Sequence, residues 1–326
     1  SKRGNTDVMR AKSYHWQPEK VPFIYPVALR ENIESVPAVT GVYFFYGESD
    51  TMPLYIGKSV NLRSRLLSHL RNPDEAKLLR QTRYIRYQQT SGEIGALLLE
   101  AQLIKQLKPL FNKRLRKLRQ LHTLKMDEAG ISVVSLTQQE IGYSENIYGL
   151  FRNRYSAQEA LKEIADRHQL CYGLLGIEKI SAGRACFRHA LRKCSGACCG
   201  VITTEAHNAQ LLEALQTLKV VCWPWPGRVA LQEGDRYHVI DHWAWLGEAE
   251  TLAQARELTQ VSGEYDIDSY KILCKPLLSG HYGILPLSCA QATALLWIRR
   301  RQLWRLFRVA PVAPVHVPPR LRRPAP

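Results

Sequence analysis

No run of apolar residues in this 326-residue chain approaches the roughly 20 needed for a helix to cross a bilayer, which excludes a helical membrane span. Ser1 to Lys20 is polar and basic and lacks the apolar segment of a secretory leader, so the expected location is cytoplasmic. Acidic residues are scarce: 29 Asp and Glu stand against 45 Lys and Arg, a formal charge of +16. Such a surplus suits a polyanionic partner, because basic side chains that neutralise phosphates release condensed counterions. Cysteine is missing before Cys171, and five of the eight lie between Cys171 and Cys199. A reducing compartment disfavours a disulfide framework, and clustering of that kind points to a metal. Lysine and acidic residues are absent after Cys289, where eight arginines lead into a Pro-rich end. Disorder is expected beyond about Val309, with no role for the tail beyond non-specific attraction to DNA.

Strand-forming sequence is what the chain has early on. Gly41-Val42-Tyr43 and, after eleven residues, Tyr55-Ile56-Gly57 each read as a short strand, with Gly47-Glu48-Ser49-Asp50 and Pro53 supplying a turn. Paired as a hairpin, the period of two puts Tyr43 and Phe45 on one face and Val42 and Phe44 on the other. Tyr55 and Gly57 alternate likewise with Leu54 and Ile56. One face can then pack a core while the other presents phenols.

Two helices follow. From Val60 to Leu70 the residues Leu62, Leu66, Leu67 and Leu70 keep helical spacing, and Asn61, Arg65 and His69 line one border of that stripe. On Glu93 to Leu107, Glu100 has Ala96, Leu97, Leu103 and Ile104 as its neighbours three and four residues away, in the middle of the apolar stripe. A carboxylate there is costly to bury as a charge unless it is paired or binds a cation, and a metal ion is the favoured reading over a structural Arg or Lys. Pro109 should end the helix, so that the Asn112 amide can turn back towards the same site.

With these residues assembled, Gly41 to Asn112 resembles a GIY-YIG nuclease domain, spelled here GVY and YIG. By that resemblance Tyr43 and Tyr55 are the two motif tyrosines, Lys58 the basic residue after YIG, Arg65 the helix arginine, Glu100 the metal ligand and Asn112 the closing asparagine. Leu99-Glu100-Ala101-Gln102-Leu103-Ile104-Lys105 is similar to the N-terminal domain of UvrC, the nuclease of nucleotide excision repair. His69 departs from it, standing where UvrC proteins usually carry a further tyrosine; proton transfer and phosphate contact are both open roles. Tyr148-Gly149-Leu150-Phe151, the Ala-rich stretch from Ser156 to Leu170 and the cysteines resemble the UvrC middle region. Gly47 to Pro53 and Cys222-Trp223-Pro224-Trp225 are similar to shorter, single-incision homologues of UvrC, and the match spans roughly residues 35 to 284. UvrC's UvrB-binding motif, its RNase H-like nuclease and its helix-hairpin-helix tail have no counterpart in the sequence.

The resemblance implies an endodeoxyribonuclease that hydrolyses one phosphodiester 3′ to a bulky lesion in double-stranded DNA, once UvrA has loaded UvrB there, and that acts as a monomer. It implies one Mg²⁺ or Mn²⁺ ion on Glu100. Tyr55 takes the proton of the attacking water; its ordinary pKa near 10 makes it a poor base unless cations such as Lys58 and the metal stabilise the phenolate. Arg65 holds phosphate oxygens, and Tyr43 and Asn112 position water or phosphate. A GIY-YIG nuclease that finds its own sequence or junction is the alternative enzyme, and an inactive DNA-binding protein the alternative class. Lys113, Arg114, Arg116, Lys117 and Arg119, with Lys125 beyond, read as a basic helical stretch for DNA.

The spacing of Cys171, Cys186, Cys194 and Cys198 fits neither a standard zinc finger nor the common ferredoxin run. Four thiolates suit zinc and iron–sulfur equally, and small core thiols are the metal-free alternative; resemblance favours a [4Fe–4S] cluster. His238, Asp241 and His242 resemble metal ligands only superficially. The expected organisation is α+β: a basic extension at 1–34; a GIY-YIG domain at 35–115, a small antiparallel sheet flanked by helices; a basic helix and Cys-rich region at 116–200; an α+β C-terminal region at 201–288; and the tail at 289–326. In the C-terminal region a helix near Glu205 to Leu218 and an alternating segment from Tyr237 to Trp245 are expected, with the tryptophans in the core.

Overall fold

The computed structural model describes residues 27–113, 120–137, 141–259 and 267–287. The N-terminal extension up to Pro26, the basic residues Arg114, Arg116, Lys117 and Arg119, and the tail from Cys289 lie outside them. Among the described residues no helix is long and apolar enough to cross a membrane.

The first section runs α1 (Val27–Glu34), β1 (Gly41–Tyr46), β2 (Pro53–Ser59), α2 (Leu62–Leu70), α3 (Ala76–Gln81), β3 (Tyr84–Gln89) and α4 (Glu93–Leu107). Its strands form an antiparallel sheet in the order β2-β1-β3, with Tyr43 opposite Gly57 and Phe45 opposite Tyr55. The GVYFFY run makes β1 central because both of its faces are apolar. Tyr43 and Phe45 pack with Leu62 and Leu66 of α2 and Leu29 of α1, while Val42 and Ile56 pack with Ala96 and Ile104 of α4. The phenol face is therefore not open as the hairpin pattern alone suggests: α2 closes over it, and Tyr43 is 1% exposed. Helix α2 starts two residues later than expected, because the Asn61 side chain caps it by accepting from the Ser64 N–H at 3.1 Å. Helix α4 has the expected bounds and ends on Lys108 in the left-handed region, before Pro109.

The middle section is β4 (Leu121–Asp127), β5 (Gly130–Leu136), β6 (Ile147–Phe151), α5 (Arg154–His168), α6 (Phe187–Ala190) and α7 (Thr204–Leu215). Here the expected basic helical stretch is corrected at its far end alone: Lys125 lies on β4, in a sheet of order β5-β4-β6. Leu121, Thr123 and Leu124 are buried within β4, and a tight turn at Glu128 and Ala129 leads into Gly130, the first residue of β5, at φ 114°. Leu124 and Tyr148 pack on Leu161 and Ala165 of α5, and Leu211 and Leu215 of α7 complete that core.

The last section is β7 (Val229–Glu233), β8 (Arg236–Asp241), β9 (Ala244–Ala249), α8 (Leu252–Glu257), α9 (Ile267–Leu278) and β10 (Ile284–Pro286), with sheet order β10-β7-β8-β9. The expected single segment from Tyr237 to Trp245 is two strands, turned at His242 and Trp243, whose φ values are 46° and 69°. Trp243 is buried and its indole N–H donates to the Val221 carbonyl at 3.0 Å, a core role. Ile94 and Leu98 of α4 join Leu231, Ile240, Trp243 and Leu273 in one core, so α4 is shared between the first section and the last.

Candidate active site and cysteine cluster

Tyr43 reaches from the centre of β1 under α2. Its O–H bonds His69 Nε2 at 2.5 Å, and His69 Nδ1 bonds the Glu75 carboxylate. With Nδ1–H donating to that carboxylate, Nε2 is left to accept from Tyr43. His69 is 1% exposed and is enclosed by the rings of Tyr43, Phe45 and Tyr55. Gly57 allows this packing: a Cβ there would sit 2.3 Å from the Tyr43 ring. Gly41 has a similar reason, since its Cβ would meet the Gln88 carbonyl of β3 at 2.3 Å. Glu75 is the member of this group that pattern reading missed; its one signal was position, six residues beyond His69 in Asn72-Pro73-Asp74-Glu75.

Burial pushes the Tyr43 phenol well above its ordinary range, the nearby Tyr55 adds to this, and Arg65 opposes it by charge and hydrogen bond. Tyr55 is raised by burial and then by the charges of Glu100 and Glu75, against Arg65 and a hydrogen bond with Tyr43. The cation that Tyr55 feels most is therefore Arg65, whereas Lys58 acts on Glu100. Burial pushes the Glu100 carboxyl up to about 7, although the Lys58 charge and backbone N–H favour its ionised form. A half-buried carboxylate so poorly compensated, beside phenol oxygens, is the hard-oxygen donor set that suits a small divalent cation.

Asn112 is held by the backbone next to Tyr55. Its Oδ1 accepts from the Ile56 N–H at 2.9 Å and its Nδ2 donates to the Ile56 carbonyl at 2.8 Å. With Phe111 N–H donating to the Leu54 carbonyl at 3.0 Å, this segment covers the outer edge of β2. Of the basic residues after it, Lys113 is exposed.

The structure brings Cys171, Cys186 and Cys194 from loops and Cys198 from a short 3-10 helix (Ala197–Cys199) together, all buried, with their ligating atoms within 4.8 Å of one another. Cys199 stands outside this group. Burial raises the Cys171 thiol and pushes Cys194 up to about 12. At Cys198 burial is outweighed by hydrogen bonds from the Cys186 N–H and neighbouring thiols, which bring it down to about 7. Four buried thiols, one of them eased toward its thiolate by its neighbours, make a donor set that fits a thiolate-bound metal group. His238, Asp241 and His242 form no such group: His238 pairs with Glu233, and His242 with Asp241.

Three family models match the chain: a UvrC-like GIY-YIG domain over residues 39–113, the middle domain of UvrC/Cho excinucleases over 121–217, and the excinuclease Cho C-terminal domain over 228–291. Excinuclease cho of Escherichia coli (strain K12) is 55% identical over 270 residues, 82% of this chain and 92% of the relative. The chain belongs to the Cho excinuclease family. Excinuclease cho of Salmonella typhi is 53% identical over 274 residues, 82% of this chain and 94% of that protein. UvrABC system protein C of Dictyoglomus thermophilum is 30% identical over 55% of this chain but only 30% of its own length. The GIY-YIG N-terminal endonuclease domain of UvrC from Thermotoga maritima, solved with magnesium as its catalytic divalent cation, is 32% identical over 27% of this chain and 99% of that domain, with a TM-score of 0.25. The assignment rests on the sequence relatives, and this Cho-family chain is a GIY-YIG endonuclease of nucleotide excision repair.

Two outcomes are expected. Asn112→Ala leaves the buried Ile56 N–H and C=O unpaired and should cost about 2 kcal/mol or more, read as a lower unfolding midpoint; an unchanged midpoint means that the clip is redundant. Cys194→Ser should remove bound metal from protein purified without oxygen, measured by elemental analysis: iron with brown colour marks an iron–sulfur cluster and stoichiometric zinc a zinc site. Metal-free, folded wild-type protein overturns the metal reading.

Proposed function

We propose that this enzyme hydrolyses one phosphodiester on the 3′ side of a bulky lesion in duplex DNA, at sites that UvrA and UvrB have marked. The observation that carries the reading is one cluster holding Tyr43, Tyr55, Arg65, His69 and Glu100, within a chain whose three family models are those of UvrC and Cho excinucleases. Residues 130–284 are the candidate surface for the UvrB–DNA complex, and Lys113 with the basic residues after it the candidate contact to phosphates. By family resemblance the cysteine group holds a [4Fe–4S] cluster, and its ligand chemistry suits zinc equally.

Hydrolysis needs a deprotonated water, stabilisation of the phosphorane and help for the leaving 3′ oxygen. Glu100 would hold one Mg²⁺ or Mn²⁺, which when bound supplies Lewis-acid polarisation of the phosphate and the leaving oxygen. Tyr55 is the base. A relay for protons stands beside it: Tyr43, hydrogen-bonded to Tyr55, is bonded in turn to His69 Nε2, and an imidazolium formed there would be paired to Glu75. Neutralising Glu100 also removes one of the upward pushes on the Tyr55 phenol. Arg65, exposed beside Tyr43, is placed to hold non-bridging oxygens as charge builds up. Asn112 acts by fixing Ile56, the residue next to Tyr55, rather than by touching phosphate.

Glu100→Ala should abolish incision while leaving DNA affinity nearly unchanged; near-normal cutting in Mg²⁺ by the folded variant sinks this site. Because the Glu100 carboxyl sits at about 7, protons compete with the metal below that pH. The half-saturating Mg²⁺ concentration should therefore climb as pH falls below 7, by up to about tenfold per pH unit, and a flat profile contradicts it. End-labelled duplex with one bulky adduct, given UvrA, UvrB and this protein, should show one cut 3′ to the adduct. A 5′ cut, or equal cutting of undamaged duplex without UvrB, replaces this reading with a self-targeting nuclease.

A further inference from the structure

Helix α4 begins without a cap of its own. Gly92 occupies the cap position with no side chain, and the first turn's N–H groups are met from the far end of the chain. Glu233, the last residue of β7, accepts from the Ile94 N–H and the Gly95 N–H, both at 2.9 Å, and from the Ser91 hydroxyl at 3.3 Å. His238 on β8 donates from Nε2 to the same carboxylate at 3.0 Å. Glu233 is 7% exposed and His238 fully buried. Two glycines make room for them: a Cβ at Gly92 would lie 2.6 Å from Glu233 Cδ, and one at Gly95 would lie 3.2 Å from His238 Cε1. A carboxylate on two helical N–H groups is also favoured by the helix dipole. Further along, Lys105 of α4 pairs with Asp268 of α9 at 3.0 Å.

The helix anchored in this way carries Glu100, about 10 Å from its start at 1.5 Å per residue. We propose that Glu233, held by His238, is a positioning residue for Glu100: the Cho-specific C-terminal domain sets the placement of the helix that presents the metal-binding carboxylate. The inference rests on the reading of Glu100 as the metal ligand. Loss of the cap frays the first turn of α4 and frees its orientation, so the effect falls on metal binding before it falls on DNA binding.

The test uses the full chain. Mn²⁺ binding by DNA-free protein is followed by electron paramagnetic resonance, and half-saturating Mg²⁺ is measured for incision of the adduct duplex. Glu233→Ala should weaken both by on the order of tenfold, with DNA affinity unchanged and the rate restored by excess Mg²⁺. Glu233→Gln, which keeps one acceptor, should fall between. A role confined to stability would lower the folded fraction and scale the rate without moving either metal constant. Gly92→Ala displaces Glu233 without removing it and should give the same shift, adding little in the Glu233→Ala background; it carries the test if Glu233→Ala does not fold. Unchanged metal constants in the folded variants overturn the proposal. If Glu100→Ala still cuts, the metal-ligand reading has failed; if Glu100→Ala is inactive and Glu233→Ala binds metal normally, the positioning role alone has failed.

Discussion

Helix α4 is buried on two sides, and most of the molecule is arranged around that constraint. Ala96 and Ile104 close one face of the nuclease sheet, while Ile94 and Leu98 enter the core built on β7, β8 and α9. A helix held from both sides cannot slide without opening two cores, each of which resists the loss of even one well-packed side chain by a few kcal/mol. Glu100 projects from this doubly held element. The C-terminal section thus helps to hold the helix that carries Glu100.

The site is short of compensating positive charge. Two phenols and a carboxyl are all shifted toward their neutral forms, burial first, and the cations nearby are Lys58 beside Glu100 and the exposed Arg65. A pocket in that state gains from a bound divalent cation, because the cation offsets the Glu100 charge that itself raises Tyr55. The His69–Glu75 pair lies against the same phenols, with His69 buried and Glu75 partly exposed.

The segment from Cys171 to Gly200 is a different solution to local order. It contains a four-residue helix, a three-residue 3-10 helix and several left-handed residues, among them Arg192, Gly196 and Gly200, and away from the α5 and α7 core its apolar cluster is the four cysteines with Leu174 and Ile180 around them. So small an apolar cluster offers little burial energy against the entropy of fixing that much loop. A thiolate-bound metal would supply the missing cross-link, and its neighbours α5 and α7 give it a rigid platform.

The local chemistry of this protein was legible in its residues. The bounds of α4, the facing strands of Tyr43 and Tyr55 and the clustering of the cysteines depend on period, turn residues and spacing, which act over a few positions. What the pattern misjudged depends on neighbours distant along the chain. Lys125 belongs to a strand because β5 and β6 pair with it, and the phenol face is closed because α2 folds back over it. His69 acquires its direction from Glu75, and Asn112 is drawn to the unpaired edge of β2. Glu233 shows no periodicity that marks it; its meaning comes from lying against the uncapped start of α4. The sequence by itself determined the elements that carry Tyr43, Tyr55, Arg65 and Glu100 and the chemistry of those residues, because propensity and period are local. Tertiary structure alone decided which polar groups find one another, because each buried donor and acceptor must be satisfied by whatever the fold places beside it.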